Sequence, residues 1–524
     1  MKHFFNKTLK VKQIIALIIL PIAVIATIFV FSNGGNPVLL LSKKNNDSTS
    51  VKITGDTSAL GQLNAYVDSL NTAKELFGGT WSFYLTDVDS GKAICNVDID
   101  RGMMPASVMK VLTTGAALSI LGPGYHFCTT LQYDGTIDPV TKILSGNIYI
   151  HGGGDPALGA ETFGSSIDTV KTQWITAIKK AGIDSITGCI IGDAQCFDND
   201  PIPIGWTWGD IQSDYGTGPC GLNIHENLYE LLLSASKDGS ISLKTNPTVP
   251  GMKLYNQVLH NPAILKSYAY VQGAPFQFER TVFGEVSSEL VEHGSIPDPA
   301  LFCAQTLRTA LQKAGIGVRD SVSTMRLIHL NNMKTEKKEN RKIIASYSSP
   351  ALDDLVYHTN QVSQNFYAES MLRAIALKQS GYGNTASGVN SIYEYLKSKN
   401  IDLHGLCMVD GCGLSRMNSI STHQLVEILR VYAKDPSIFP AFYRSLPIAG
   451  ESGTIRKLAD GTLAEGNLRA KSGTMSRVKS YAGYVKTKSG KMLCFAMIGN
   501  NTQWNEIELK FKFEKLFELM ADLP

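Results

Sequence analysis

The chain has 524 residues, 44% of them hydrophobic and 18% charged, which is ample material for two or three packed domains and excludes a disordered chain. Its 49 basic and 46 acidic residues leave a formal charge of +3; with no long basic run outside the first residues, a phosphate-backbone partner is not expected and nucleic acid is set aside. Nine cysteines are an odd and sparse count for this length, so no disulfide framework can be read from them.

At the N-terminus Lys2, Lys7, Lys10 and Lys12 precede an apolar run over 14–31, about the length that spans a hydrocarbon core as a helix. A cleaved signal peptide would have a shorter apolar region and an A-x-A-like end, and no cysteine follows for lipidation. Residues 1–32 are therefore read as a membrane anchor or signal segment, with an uncleaved anchor favoured, and either places the remainder in the cell envelope, outside the cytoplasm. Residues 33–58, rich in Asn, Ser, Lys and Gly, read as a flexible tether. A helix is predicted over 60–76 and a strand over 81–88, closed by Asp89-Ser90-Gly91 and followed by a partner strand over 93–97. Pro105 and Ser107 then open a buried helix that stops at Gly122-Pro123.

A long middle follows. It carries many short strands, among them 143–150, 185–192 and 241–254, and a helix over 299–314 ended by Gly315. At the far end three strands, 468–472, 480–486 and 492–498, can pair antiparallel, the last two through Lys488-Ser489-Gly490; a helix over 504–520 would cover one face of them. The middle thus looks inserted between two ends of one domain. Cys189/Cys196 and Cys407/Cys412 are close enough in sequence to pair in an oxidising compartment, with small buried thiols the better account of both. No internal repeat of fixed period is present.

The chemistry centres on Ser107-Val-Met-Lys110. Residues three apart share a helix face, so the lysine can reach the serine hydroxyl, and the helix N-terminus favours developing negative charge. A serine is a poor nucleophile until a neighbouring base takes its proton, which a lysine can do only if burial or nearby cations depress its pKa. Ser234/Lys237 and Ser476/Lys479 repeat the spacing, but the first sits in a polar turn and the second follows a strand; only Ser107 opens an apolar helix. Ser363-Gln-Asn365 projects a hydroxyl and an amide from a loop between two helical segments, suited to a proton relay and a hydrogen-bond clamp. Ser69/Asn71, Ser145/Asn147 and Ser398/Asn400 match equally well and read as ordinary caps or turns. Lys471-Ser472-Gly473-Thr474 lies on a predicted strand, where the lysine can hold a carboxylate, Gly473 lets a substrate backbone approach, and the Thr474 N–H can face an oxyanion. Lys488-Ser-Gly490 is a solvated hairpin tip.

Ser-x-x-Lys, then Ser-x-Asn, then Lys-Ser/Thr-Gly is the motif order of penicillin-binding proteins and class A β-lactamases. The long gap between Ser107 and Ser363 is more than a compact β-lactamase has room for. From about residue 60 onward the chain resembles the class C low-molecular-mass penicillin-binding proteins, the D-alanyl-D-alanine carboxypeptidase/endopeptidase family. Beyond the three motifs the resemblance rests on Gly153-Gly-Asp-Pro156, Ile191-Gly-Asp193, Asp214-Tyr-Gly-Thr-Gly218 with Asn223 to Asn227, Val409-Asp-Gly-Cys-Gly-Leu-Ser-Arg416 and Leu446-Pro-Ile-Ala-Gly450. Two departures stand out: Cys412 where such proteins commonly have Ser, and Ser472 after Lys471 in place of Thr.

The resemblance implies an α+β, α-β-α fold: a β-lactamase/transpeptidase-like domain, an antiparallel sheet flanked by helices, from 59–133 and 343–524. Within it would nest an insertion domain from 134–228 and 297–342 and a second, mainly β domain from 229–296. It further implies Ser107 as nucleophile, Lys110 as base, Ser363 as proton relay and Asn365 as clamp on lysine and substrate. Lys471 would bind the terminal carboxylate, with Ser472, Gly473 and Thr474 lining substrate and the N–H groups of Ser107 and Thr474 forming the oxyanion hole. The implied partners are peptidoglycan peptide stems, with β-lactams as covalent inhibitors and the membrane reached through the N-terminal segment only. No cofactor or metal is required by two-step acyl transfer.

Other constellations carry less. His225-Glu226 lacks a second ligand four residues on, where Tyr229 stands, and neither a G-x-S-x-G elbow nor a P-loop is present. Gly152-Gly-Gly154-Asp155 reads as a tight turn rather than an anion nest. Trp206 and Trp208 could stack on glycan but are assigned to core packing.

Overall fold

In the computed structural model, which describes residues 56–524 apart from 212, 320 and 336, the two ends of the chain meet in one antiparallel sheet. Helix α1 (Ala59–Asn71), N-capped by Ser58, leads into strands β1 (Thr80–Asp87) and β2 (Ala93–Val97). A single 3-10 turn, Ala106–Met109, then feeds helix α2 (Lys110–Leu121), ended by Gly122 at φ 93°. After the insertion come α3 (Leu352–Val362), α4 (Asn365–Ser380), α5 (Thr422–Ala433), strands β3 (Leu468–Met475), β4 (Val478–Lys486) and β5 (Met492–Asn500), and α6 (Glu506–Ala521). The sheet order is β3-β4-β5-β1-β2, closed by β1 against β5 in the register Trp81↔Gly499, Phe83↔Met497.

The period of two along β1 divides its side chains between two cores. Phe83 and Leu85 join Met497, Phe513 and Phe517 under α1 and α6. Tyr84 points the other way, into the core that Ala482, Ala496 and Ile498 share with α2, α4 and α5. Three layers, helix–sheet–helix, result, and the fold class is the transpeptidase-like one with inserted β-rich units.

The insertion leaves through the strand Cys128–Tyr133 and returns through Lys342–Ser348. These two pair with each other and head a mixed five-stranded sheet with Ile148–His151, Ile190–Asp193 and Val322–Thr324. Helices Ile167–Lys180 and Pro299–Lys313 cover it through Trp174, Ile178, Phe302 and Leu307. Two three-stranded sheets lie between Leu228 and Ser295: Leu228–Ala235 between Ile241–Asn246 and Glu289–Ser295, and Glu279–Val286 between Lys253–His260 and Tyr268–Gln272.

Three predicted strands prove to be two each. The 143–150 segment divides into Ile143–Ser145 and Ile148–His151, 185–192 into Ser185–Ile186 and Ile190–Asp193, and 241–254 into Ile241–Asn246 and Lys253–His260. In the first two the break is a polar knot: Asp134 accepts the Asn147 amide at 2.9 Å and Asn147 Oδ1 accepts the Cys189 N–H at 2.8 Å, so both chains step from one sheet to the next together. A side chain at Gly188 would meet Asn147 Oδ1 at 2.4 Å. In the third, Pro247 and Pro250 remove ladder donors and Gly251 turns at φ 85°.

Trp206 is buried, as predicted, but Trp208 is 54% exposed and belongs to no core. Cys196, Cys407 and Cys412 are free thiols, so neither candidate bridge forms. The anchor predicted for residues 1–32 and most of the tether lie outside the described residues; among those described, no helix is long and apolar enough to cross a membrane.

Candidate active site

The turn that carries Ser107 is fixed from both sides. Ala106, just before Ser107, adopts φ 48°, a left-handed conformation that costs a non-glycine residue about 1 kcal/mol or more. Two contacts impose it: Ser480 Oγ of β4 donates to the Pro105 carbonyl at 2.5 Å, and Gly413 packs so close that a Cβ there would sit 1.9 Å from the Ala106 carbonyl. Ser107 remains partly exposed while Lys110 is fully buried.

Lys110 Nζ donates to Ser107 Oγ at 2.9 Å, Asn365 Oδ1 at 2.6 Å and the Cys412 carbonyl at 2.7 Å. Three oxygens thus aim its amine. Burial holds its pKa below the ordinary lysine value, against the opposing pull of Cys412, Asp410 and Glu369. Ser363 closes α3 in the left-handed region at φ 64°, which turns its hydroxyl back toward the sheet. There Lys471 Nζ donates to Ser363 Oγ at 2.9 Å and to the Ser472 carbonyl at 2.7 Å. Burial, then Lys110, then Lys479 push the Lys471 pKa well below its usual value.

Gly473 joins the two halves. It lies opposite Ser480 across the sheet, and a Cβ would stand 2.3 Å from Ser480 Oγ, 2.5 Å from the Pro105 carbonyl and 3.0 Å from the Ser107 nitrogen. Only glycine lets β3 pass this close to Ser107. Ser472 donates its hydroxyl to Thr454 at 2.7 Å, and Thr474 is exposed, with its hydroxyl taken by Lys479 Nζ at 2.7 Å.

Sequence reasoning missed several partners. Lys479, dismissed with a chance Ser-x-x-Lys pair, stands at this edge with its pKa pushed down to about 8, chiefly by burial. Asn365 Nδ2 is held by the Tyr215 carbonyl at 2.7 Å, from deep within the insertion. Behind Lys110 the loop 410–418 is pinned by two buried carboxylates. Glu369 accepts the N–H groups of Gly411 and Cys412 at 2.7 and 2.8 Å; Asp410 accepts those of Gly413 and Ser415, the Asn418 amide and the Trp206 indole. Glu369, Asp410 and Cys412 place donor atoms within 4.8 Å of one another; both oxygens of Asp410 and Oε1 of Glu369 already accept backbone or side-chain donors. The signal that existed was the Asp410-Gly-Cys-Gly run itself, which marks a tight loop without saying what it holds. His225-Glu226 is a docking contact: Tyr367 donates to Glu226 Oε1 at 2.7 Å.

A serine facing a buried amine at a helix start, flanked by a second buried amine on an antiparallel strand, is the equipment of a serine-type acyl-transfer hydrolase on a transpeptidase-like fold. The chain belongs to the D-Ala-D-Ala carboxypeptidase 3 (S13) family, which matches residues 63–519; it is a serine-type DD-peptidase. A D-alanyl-D-alanine carboxypeptidase of Actinomadura sp. (strain R39) is 24% identical over 456 residues, covering 84% of this chain and 81% of the relative. The D-alanyl-D-alanine carboxypeptidase DacB of Haemophilus influenzae is 24% identical over 457 residues, covering 85% and 90%. Among solved structures, penicillin binding protein 4 (dacB) from Haemophilus influenzae superimposes with a TM-score of 0.74 at 22% identity, covering 88% of this chain and 98% of that one; the same protein is also solved in complex with a β-lactam.

Proposed function

We propose that the chain cleaves the D-Ala-D-Ala end, and D-Ala-containing cross-links, of peptidoglycan stems through an acyl-enzyme on Ser107. The observation that carries this is the 2.9 Å contact between Ser107 Oγ and the buried amine of Lys110. Neutral Lys110 takes the hydroxyl proton as Ser107 Oγ bonds to the carbonyl carbon of the penultimate D-Ala. The N–H groups of Ser107 and Thr474 hold the oxyanion, worth about 3 kcal/mol per donor. Ser363, linked to Lys471, passes a proton to the departing amine as the peptide C–N bond breaks. Lys471 binds the carboxylate of the leaving D-Ala, and Asn365 orients Lys110 and the substrate amide. Water then attacks the ester, releasing the shortened stem and restoring the Ser107 hydroxyl.

A β-lactam presents the same carbonyl and carboxylate but keeps its leaving group tethered, so it acylates and stays. The basic flank and apolar run at 1–32 support an anchored enzyme working on the outer, envelope side of the membrane. The test is labelled penicillin: covalent label is expected on the parent protein and none on Ser107→Ala, alongside D-Ala release from a pentapeptide stem. Label on the Ser107→Ala variant would remove this assignment.

A further inference from the structure

Lys110 is held by three oxygens, and one of them, the Cys412 carbonyl, belongs to a peptide with its own buried support. Glu369, one turn beyond Asn365 on α4, is fully buried, and its Oε1 receives both the Gly411 and the Cys412 N–H. On the same loop Thr113 of α2 donates to the Gly411 carbonyl at 2.6 Å. Two consecutive N–H groups ending on one oxygen fix the peptide immediately before the one whose carbonyl meets the amine, while Asp410 holds the latter through the Gly413 N–H. Glu369 Oε2 has no hydrogen-bond partner, an expensive arrangement for a buried carboxylate unless its charge serves something else nearby. The geometry points to Glu369 as a positioning residue for the base: it aims the Cys412 carbonyl at Lys110 and sets the charge against which that amine titrates.

This rests on Lys110 being the base. The charged and titratable groups around Glu369 are Lys110 from α2, Asp410 and Cys412 from the loop, and Arg373 one turn along its own helix. Burial, reinforced by Asp410, raises the Glu369 pKa to about 7, with the Cys412 thiol, then Arg373, then the Gly411 N–H opposing. Its anionic form in turn raises the Lys110 pKa. Removing the charge while keeping the acceptor oxygen should let Lys110 lose its proton at lower pH; removing the side chain should also unmoor the loop.

The test measures acylation by labelled penicillin across roughly pH 5 to 10 for the parent, Glu369→Gln and Glu369→Ala. Glu369→Gln is expected to keep a plateau rate within about tenfold of the parent while its acid limb moves about one unit to lower pH. Glu369→Ala is expected to lose about tenfold or more at every pH. A Glu369→Gln profile that superimposes on the parent's, or a Glu369→Ala plateau equal to it, overturns the inference. If Glu369→Ala fails to fold, Glu369→Gln decides alone, because a purely architectural role would leave the limb where it was. A parent protein that takes no label condemns the Ser107 reading instead, which keeps the two failures apart.

Discussion

Two buried amines share one site, and their proton affinities fall for different reasons. Burial alone lowers that of Lys110, against the pull of Cys412, Asp410 and Glu369, whereas Lys471 is lowered by burial and then by the charge of Lys110. With neutral Lys110 as the proposed base, acylation should rise as pH climbs through the Lys110 pKa, with the limb below the ordinary lysine value of 10.5. Lys110→Ala should lower penicillin acylation by about 10²–10⁴-fold with unchanged circular dichroism. Lys471→Ala should cost about 30-fold or more in kcat/KM on a stem ending in a free carboxylate. On the corresponding C-terminal amide the cost should be much smaller, because no carboxylate is there to lose. Ser107 was legible in the sequence because an apolar helix follows it, a local property that its chance counterparts lack. Glu369 and Lys479 were not, since their roles arise from atoms brought up by distant segments, which no spacing records.

Most helices and strands at the two ends were readable because each shows one clear period and a clean stop, although the first helix, expected over 60–76, ends at Asn71 and is followed by a 3-10 turn, Lys74–Leu76. The partner strand at Ala93–Val97 fell where alternation placed it, and the last helix began after the Asn505 capping box. In the middle, apolar stretches crossed from one sheet to another without a change in composition, so pairs of strands read as single ones; the Asp134–Asn147 knot that divides them is a side-chain event. Two predictions belong at this scale. Gly473→Ala forces a Cβ against Ser480, Pro105 and the Ser107 nitrogen, so acylation should fall by about tenfold or more, to be read from labelling rates on folded protein. Asp155, at the Gly-rich turn, is buried and accepts the Ala157 N–H at 2.8 Å, and burial raises its pKa from 3.8 to about 7. The neutral acid therefore favours folding below pH 3.8, an advantage lost as pH rises to about 7. Asp155→Asn, which keeps the acceptor, should accordingly gain stability over the parent across that window, reaching on the order of a few kcal/mol above it, as denaturant melts at pH 5 and pH 8 would show.

Taken whole, the molecule is a catalytic domain braced by what it encloses. Arg373 of α4 pairs with Asp198 and the Asp200 carbonyl of the insertion, Tyr367 reaches Glu226, Trp206 holds Asp410 and the Tyr215 carbonyl holds Asn365. Arg373→Met, which strands Asp198 without its cation, should cost about 3 kcal/mol and lower Tm. The split organisation was visible in the sequence from the motif order and the long gap. These clasps were not, because each joins polar residues more than a hundred positions apart.

The pairing of β1 with β5 also bears on how the protein comes into being. The Met104 N–H that helps seat the Ser107 turn is held by Asn500, 396 residues further along, so the sheet cannot close until almost the entire polypeptide has left the ribosome. Ser107 is made early and must wait, inert, through most of translation. A chain shortened to end before Met492 should take no penicillin label, which makes the last strand the step that arms the enzyme.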